Sequence, residues 1–173
     1  MVFLHIACNI LIMNIINPTI IFRHQRENIK KCSLRGLEQH PGLLFFTYPK
    51  STLFDQENYI LLTPEAPILS QEESGYGLLL LDGTWRLAQK MVATIQLPHS
   101  TLRRSLPTSC KTAYPRRQDS FVDPDKGLAS VEALYIAYHI LGHDSTGLLA
   151  HYFWAEAFLE KNRRLLESYV RTS

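Results

Sequence analysis

The feature that most constrains this chain is a set of four short, unbroken apolar runs. They are Thr19–Phe22 (TIIF), Leu43–Thr47 (LLFFT), Tyr59–Leu62 (YILL) and Gly77–Leu81 (GLLLL). Each has the length of a strand, and none alternates cleanly between apolar and polar residues. An alternating strand keeps one wet face, whereas a continuous apolar strand must be covered on both. The pattern predicts an α/β fold, a mostly parallel sheet flanked by helices. At 173 residues the chain suits one domain. Its 46% apolar and 20% charged content excludes wholesale disorder and a disulfide-scaffold miniprotein.

Helical patterns lie between and after these runs. Arg35–His40 reads as a short helix. Thr84–Ile95 places Trp85, Ala88, Met91, Val92 and Ile95 on one face. Ser130–Leu141 reads as a second helix, capped at its end by Gly142. Ser145–Val170 reads as a long third helix with a break near Gly147. The stretch carrying Pro98, Pro107, Pro115 and Pro124 reads as loop. No linker appears, so residues 18–173 are taken as a single domain, and residues 1–17 as an apolar N-terminal extension. Met1–Phe22 contains no charged side chain, yet His5, Asn9, Asn14 and Asn17-Pro18 interrupt it as a membrane span. It lacks the positive start and the small-residue cleavage site of a secretory signal. No membrane partner is expected, and a cytoplasmic location is.

Charge is distributed in blocks. Residues 83–118 carry seven Lys/Arg and no acid, while residues 51–82 carry six acids and no Lys/Arg. The segment 23–50 is again basic. Two basic blocks that meet in space would face a polyanion; apart, they are solvated loops and helix faces. The cysteines, Cys8, Cys32 and Cys110, form no C-x-x-C pair. His139 and His143 share a helix face, but no third ligand accompanies them, and no metal is expected.

Three segments could carry chemistry. In Leu78-Leu79-Leu80-Leu81-Asp82-Gly83-Thr84-Trp85 a carboxylate closes a buried strand and a tight turn opens a helix. Strand carboxyl ends are where α/β sheets build their sites, although Asp82 could instead be only the helix N-cap. Gly127–Ala133 places Ser130 at a second helix start, as cap or ligand contact, with Glu132 in the first turn. Tyr114-Pro115-Arg116-Arg117 is a basic, aromatic loop suited to phosphate and base contact. No dinucleotide, P-loop or G-x-S-x-G signature is present.

Asp82-Gly83-Thr84-Trp85, followed by Arg86, Ala88, Lys90 and Met91, resembles the D-x-T-W signature of the DTW-domain family. Tyr114–Arg117 and Leu128-Ala129-Ser130-Val131-Glu132-Ala133 resemble that family's later segments, in the same order. Arg23-His24, Glu27-Asn28 and Lys30-Lys31-Cys32-Ser33 resemble its entry segment, shared with related pre-rRNA aminocarboxypropyltransferases. The cysteine-rich start of many bacterial members has no counterpart here. The resemblance implies a SPOUT-like α/β fold with a knotted cofactor site. It also implies transfer of the 3-amino-3-carboxypropyl group of S-adenosylmethionine to N3 of a uridine, in tRNA by preference. Asp82 is then the general base, with Glu132 second. Ser33, Leu81, Thr84, Trp85, Ala88 and Ser130 would line the S-adenosylmethionine site. Arg103, Arg104, Tyr114, Arg116 and Arg117 would meet RNA. The alternatives are the same transfer to small-subunit rRNA, a SPOUT-type methyl transfer, and a non-catalytic RNA-binding protein.

Overall fold

The computed structural model describes residues 17–51, 55–115 and 127–170. Five strands are present among them: β1 (Thr19–His24), β2 (Leu43–Tyr48), β3 (Tyr59–Leu62), β4 (Gly77–Asp82) and β5 (Leu102–Arg104). They form one sheet in the order β2-β1-β4-β3-β5, and every pairing is parallel. Three α-helices follow: α1 (Trp85–Thr94), α2 (Ser130–Leu141) and α3 (Ala155–Val170).

The continuous apolar runs have the expected cause. Along β4, Leu78 and Leu80 enter one core, while Leu79 and the partly buried Leu81 enter the other. In β1, Ile21 faces the first core, and Ile20 and Phe22 face the second. The first core is closed by α2, through Val131, Leu134 and Ala137, with Phe158 and Leu166 of α3 behind it. The second is closed by Met91 of α1 and by Ile95. Helices on both faces leave no wet side for polar residues to occupy.

Several boundaries differ from the sequence expectation. The segment Arg35–His40 forms turns, not a helix. Its Gly36 has φ +89, outside helical geometry. The last helix starts at Ala155; residues 145–154 are a run of turns in which Gly147 has φ +81. The proline-containing stretch read as loop contributes β5, a three-residue edge strand too short to leave a periodic signal. The apolar extension assigned to residues 1–17 lies outside the described residues except for Asn17. That residue donates from Nδ2 to the Asn58 carbonyl at 3.3 Å. No helix among the described residues is long and apolar enough to cross a membrane.

Candidate functional site

In-register pairing of β1 with β4 sets Arg23 beside Asp82 at the carboxyl ends of two central strands. Asp82 is 3% exposed. Its Oδ2 accepts from Arg23 Nε at 2.9 Å and from the Cys32 thiol at 3.2 Å, and its Oδ1 accepts from Ser130 Oγ at 2.8 Å. The carboxylate therefore joins β4, β1, the 28–37 loop and the start of α2. It is not the α1 N-cap: that position falls to Thr84, which makes no side-chain capping bond. Ser130 is likewise not a cap. The α2 N-cap is Ala129, and the Ser130 hydroxyl is spent on Asp82 instead.

Around this carboxylate the charges are unbalanced. Arg23 also donates to Glu38 Oε1 at 2.8 Å, and its guanidinium lies 4.7 Å from the centre of the Phe45 ring. Burial works against the Arg23 charge, but its bonds to Glu38 and Asp82 outweigh that and raise its pKa. Burial pushes the Cys32 thiol up to about 12, with the Asp82 charge adding to it, so Cys32 stays a protonated donor. Burial, then the neighbouring Asp82 charge, raises the Glu27 carboxyl above its ordinary value; Arg23 and the Thr84 and Asn28 backbone N–H groups oppose this. One guanidinium thus sits among three carboxyl groups.

Two polar atoms of this cluster are buried with no hydrogen-bond partner, Arg23 Nη2 and Glu27 Oε2. An unmet buried polar group costs about 1–3 kcal/mol. One of these atoms is a donor on a cation and the other an acceptor on a carboxyl group. The cluster thus holds one unmet donor and one unmet acceptor.

The other predicted residues are placed as follows. Leu81 is the penultimate residue of β4, packed against the second core, while Thr84, Trp85 and Ala88 lie in the β4–α1 turn and the first turn of α1. Ser33 Oγ accepts from the Val131 backbone N–H at 3.2 Å, capping α2 from outside the helix. Glu132 is fully buried, and its two oxygens accept from Thr112 Oγ1 (2.7 Å) and from Ala113 N, Ala129 N and Tyr152 Oη (each 2.8 Å). Four donors fill its acceptor capacity, so this geometry makes it an anchor and not a base. Tyr114 donates from its hydroxyl to the Lys31 carbonyl at 3.1 Å. Arg103 and Arg104 lie on β5, two strands from β4, or about 10 Å at ordinary strand spacing. Arg104 Nε is tied to Glu73 Oε1 at 2.6 Å, which makes it a tether of the sheet edge; Arg103 is exposed. Arg116 and Arg117 lie outside the described residues.

Sequence reasoning gave no role to Arg23, Glu27, Cys32 or Glu38. A usable signal was present for the first: Arg23 follows one apolar run as Asp82 follows another, and parallel strands align their ends. The two histidines considered as a chelating pair serve separately. His139 Nδ1 lies 3.2 Å from the Tyr135 carbonyl, and His143 Nε2 lies 2.9 Å from that of Ser74.

No protein-family profile matches the sequence, and no curated protein matches it significantly. Among solved structures the chain is similar to the SAM-dependent rRNA:acp-transferase Tsr3 from Vulcanisaeta distributa. The TM-score is 0.68 at 22% identity, over 91% of this chain and 85% of that one. At that identity the likeness is one of fold: this chain has the α/β architecture of that protein along nearly its whole length.

Proposed function

We propose that this protein transfers the 3-amino-3-carboxypropyl group of S-adenosylmethionine to N3 of a uridine in RNA. The observation that carries the reading is the Asp82 cluster at the carboxyl ends of β1 and β4. It combines excess negative charge with one unmet donor and one unmet acceptor. The amino-acid end of S-adenosylmethionine bears a carboxylate, which Arg23 Nη2 would take, and an ammonium, which Glu27 Oε2 would take. Excess carboxylate also suits a positively charged sulfur. Trp85 offers an aromatic face to such a cation. Leu81, Thr84, Ala88, Ser33 and Ser130 complete this pocket, within a SPOUT-like fold with a knotted cofactor site.

When bound, the donor supplies an electrophilic carbon next to its sulfonium. The uridine N3 proton passes to a carboxylate, N3 bonds to that carbon, and the carbon–sulfur bond breaks with its electrons on sulfur, releasing neutral methylthioadenosine. Asp82 is the acceptor for this proton. Three donors reach it, and a carboxylate has roughly four acceptor sites, so the proton would take the one that these donors leave. Holding acceptor and donor in one geometry selects the longer chain over the methyl group.

The D-x-T-W segment supports tRNA as the substrate. A second reading, rRNA, is favoured by the fold likeness to an rRNA aminocarboxypropyl transferase. Either substrate places the protein where cellular RNA is matured, and a cytoplasmic site fits the tRNA reading. Arg103, Tyr114, Arg116 and Arg117 are proposed to contact the RNA. The test is mass spectrometry of nucleosides from tRNA, and separately from small-subunit rRNA, each incubated with the protein and S-adenosylmethionine. A uridine heavier by an aminocarboxypropyl group in one of the two is the expected result. A methylated uridine, or no adduct on either RNA despite bound donor, overturns it.

A further inference from the structure

A cleft of about 240 Å³ has Cys32 and Ser33 in its wall, and the Cys32 thiol reaches Asp82. The cleft and the Asp82 cluster therefore share a side chain. Lys30, Lys31 and Arg35 give the cleft three cations, and no carboxylate among the described residues lines it. Tyr114, Phe153 and Trp154 supply aromatic surface. Phe153 is 85% exposed, and its ring meets Trp154 edge-on at 4.8 Å. A lone exposed phenylalanine is unremarkable on a protein surface. Here it stands at a cleft that is cationic on one side and whose wall, at Cys32, is hydrogen-bonded to Asp82.

The cleft is built by three segments locked together. The 28–37 loop meets the 145–154 turns where Gly36 lies against His151. A Cβ on Gly36 would come within 2.7 Å of the His151 ring, and φ there is +89. The 110–115 segment joins through the hydroxyl of Tyr114, bonded to the Lys31 carbonyl. α3 holds that segment in turn, through Asn162 and Lys161.

We propose that this cleft binds the nucleotide adjacent to the acceptor uridine in single-stranded RNA. The base stacks on Phe153, and Lys30, Lys31 and Arg35 take the flanking phosphates. Aromatic faces accept any base, and cations track the backbone, which is how proteins hold single strands with little sequence preference. The inference rests on the reading of the Asp82 cluster as the site of RNA modification.

A fluorescent single-stranded oligouridylate is the probe, titrated against the full chain over a range of salt. Phe153→Ala is expected to weaken its binding by about 5- to 150-fold, the contribution of one stacked base. Lys30→Gln with Lys31→Gln is expected to reduce the slope of log affinity against log salt by about 1.4, two single-strand phosphate contacts. S-adenosylmethionine affinity, followed by calorimetry, stays unchanged in both variants and reports that they are folded. Absence of oligouridylate binding by the unaltered protein overturns the proposal. So does binding by Phe153→Ala equal to that of the unaltered protein, or an unchanged salt slope in the lysine variant. The two readings fail separately. Phe153-dependent RNA binding without a nucleoside adduct leaves the cleft and removes the transferase. An adduct formed with equal efficiency by Phe153→Ala leaves the transferase and removes the cleft.

Discussion

Asp82 and Glu27 are two carboxyl groups in one site with different environments, and this separates their expected behaviour. Asp82 is surrounded by donors, so Asp82→Asn keeps the size of the side chain, at some cost in stability because its amide NH2 faces a donor, but cannot take a proton. Loss of a general base costs about 10²–10⁴-fold in rate. Single-turnover transfer should fall by at least about 100-fold in this variant, with donor binding retained. If the carboxylate only tied β1 to β4, transfer would persist and only stability would drop. Glu27 has a folded pKa above its ordinary value of 4.5. Between these two values the folded state binds more protons than the unfolded state, so stability falls as pH rises through that window. Glu27→Gln abolishes this titration. Urea unfolding at a series of pH values should show the unaltered protein losing stability relative to Glu27→Gln as pH climbs from 4.5 through the raised pKa. Parallel curves would show that Glu27 does not titrate differently on folding.

At the scale of elements, the start of α2 organises the site although it supplies no base. Ser130 reaches Asp82, Val131 N–H is capped by Ser33, and Glu132 collects bonds from the 110–115 segment and from Tyr152. Glu132 thereby joins α2 to two of the segments that make the cleft. Glu132→Gln would confront four buried donors with an amide that donates as well as accepts. Unmet donors cost about 1–3 kcal/mol each, so a loss of at least about 3 kcal/mol in chemical denaturation is expected. Activity should be lost in parallel with folding. Full stability with abolished transfer would return Glu132 to a chemical role. Sequence pattern correctly placed α1, α2 and four of the five strands, because each carries enough apolar residues to show its period. β5 and the 145–154 turns were missed because three residues make no period and helix and turn share composition there.

Across the whole molecule, a carboxylate-rich cluster sits beside a cationic, aromatic cleft. This arrangement suits a positively charged donor and a polyanionic acceptor meeting at one point. Gly36 is where the two walls of the cleft touch. Gly36→Ala places a side chain at positive φ and against the His151 ring. Strain of this kind costs about 1–3 kcal/mol. The expected outcome is a lowered melting temperature, with oligouridylate affinity reduced more than S-adenosylmethionine affinity. Equal loss of both would mean that the walls act as one unit with the donor pocket.

The sequence by itself determined the parallel, doubly covered sheet, because burial on both faces requires unbroken apolar strands. It also located the acid at the end of the strongest strand and the turn that follows it. The partners of that acid were decided only in three dimensions. Arg23, Cys32 and Ser130 are 59, 50 and 48 residues from Asp82 along the chain, and no local period encodes such a separation. They meet because strand register aligns the ends of β1 and β4 while loops return to the same edge. Tertiary structure likewise divided the carboxylates, saturating Glu132 with donors and leaving an oxygen of Glu27 unmet. One-dimensional spacing shows where a carboxylate lies, but only its neighbours in space fix how many donors reach it.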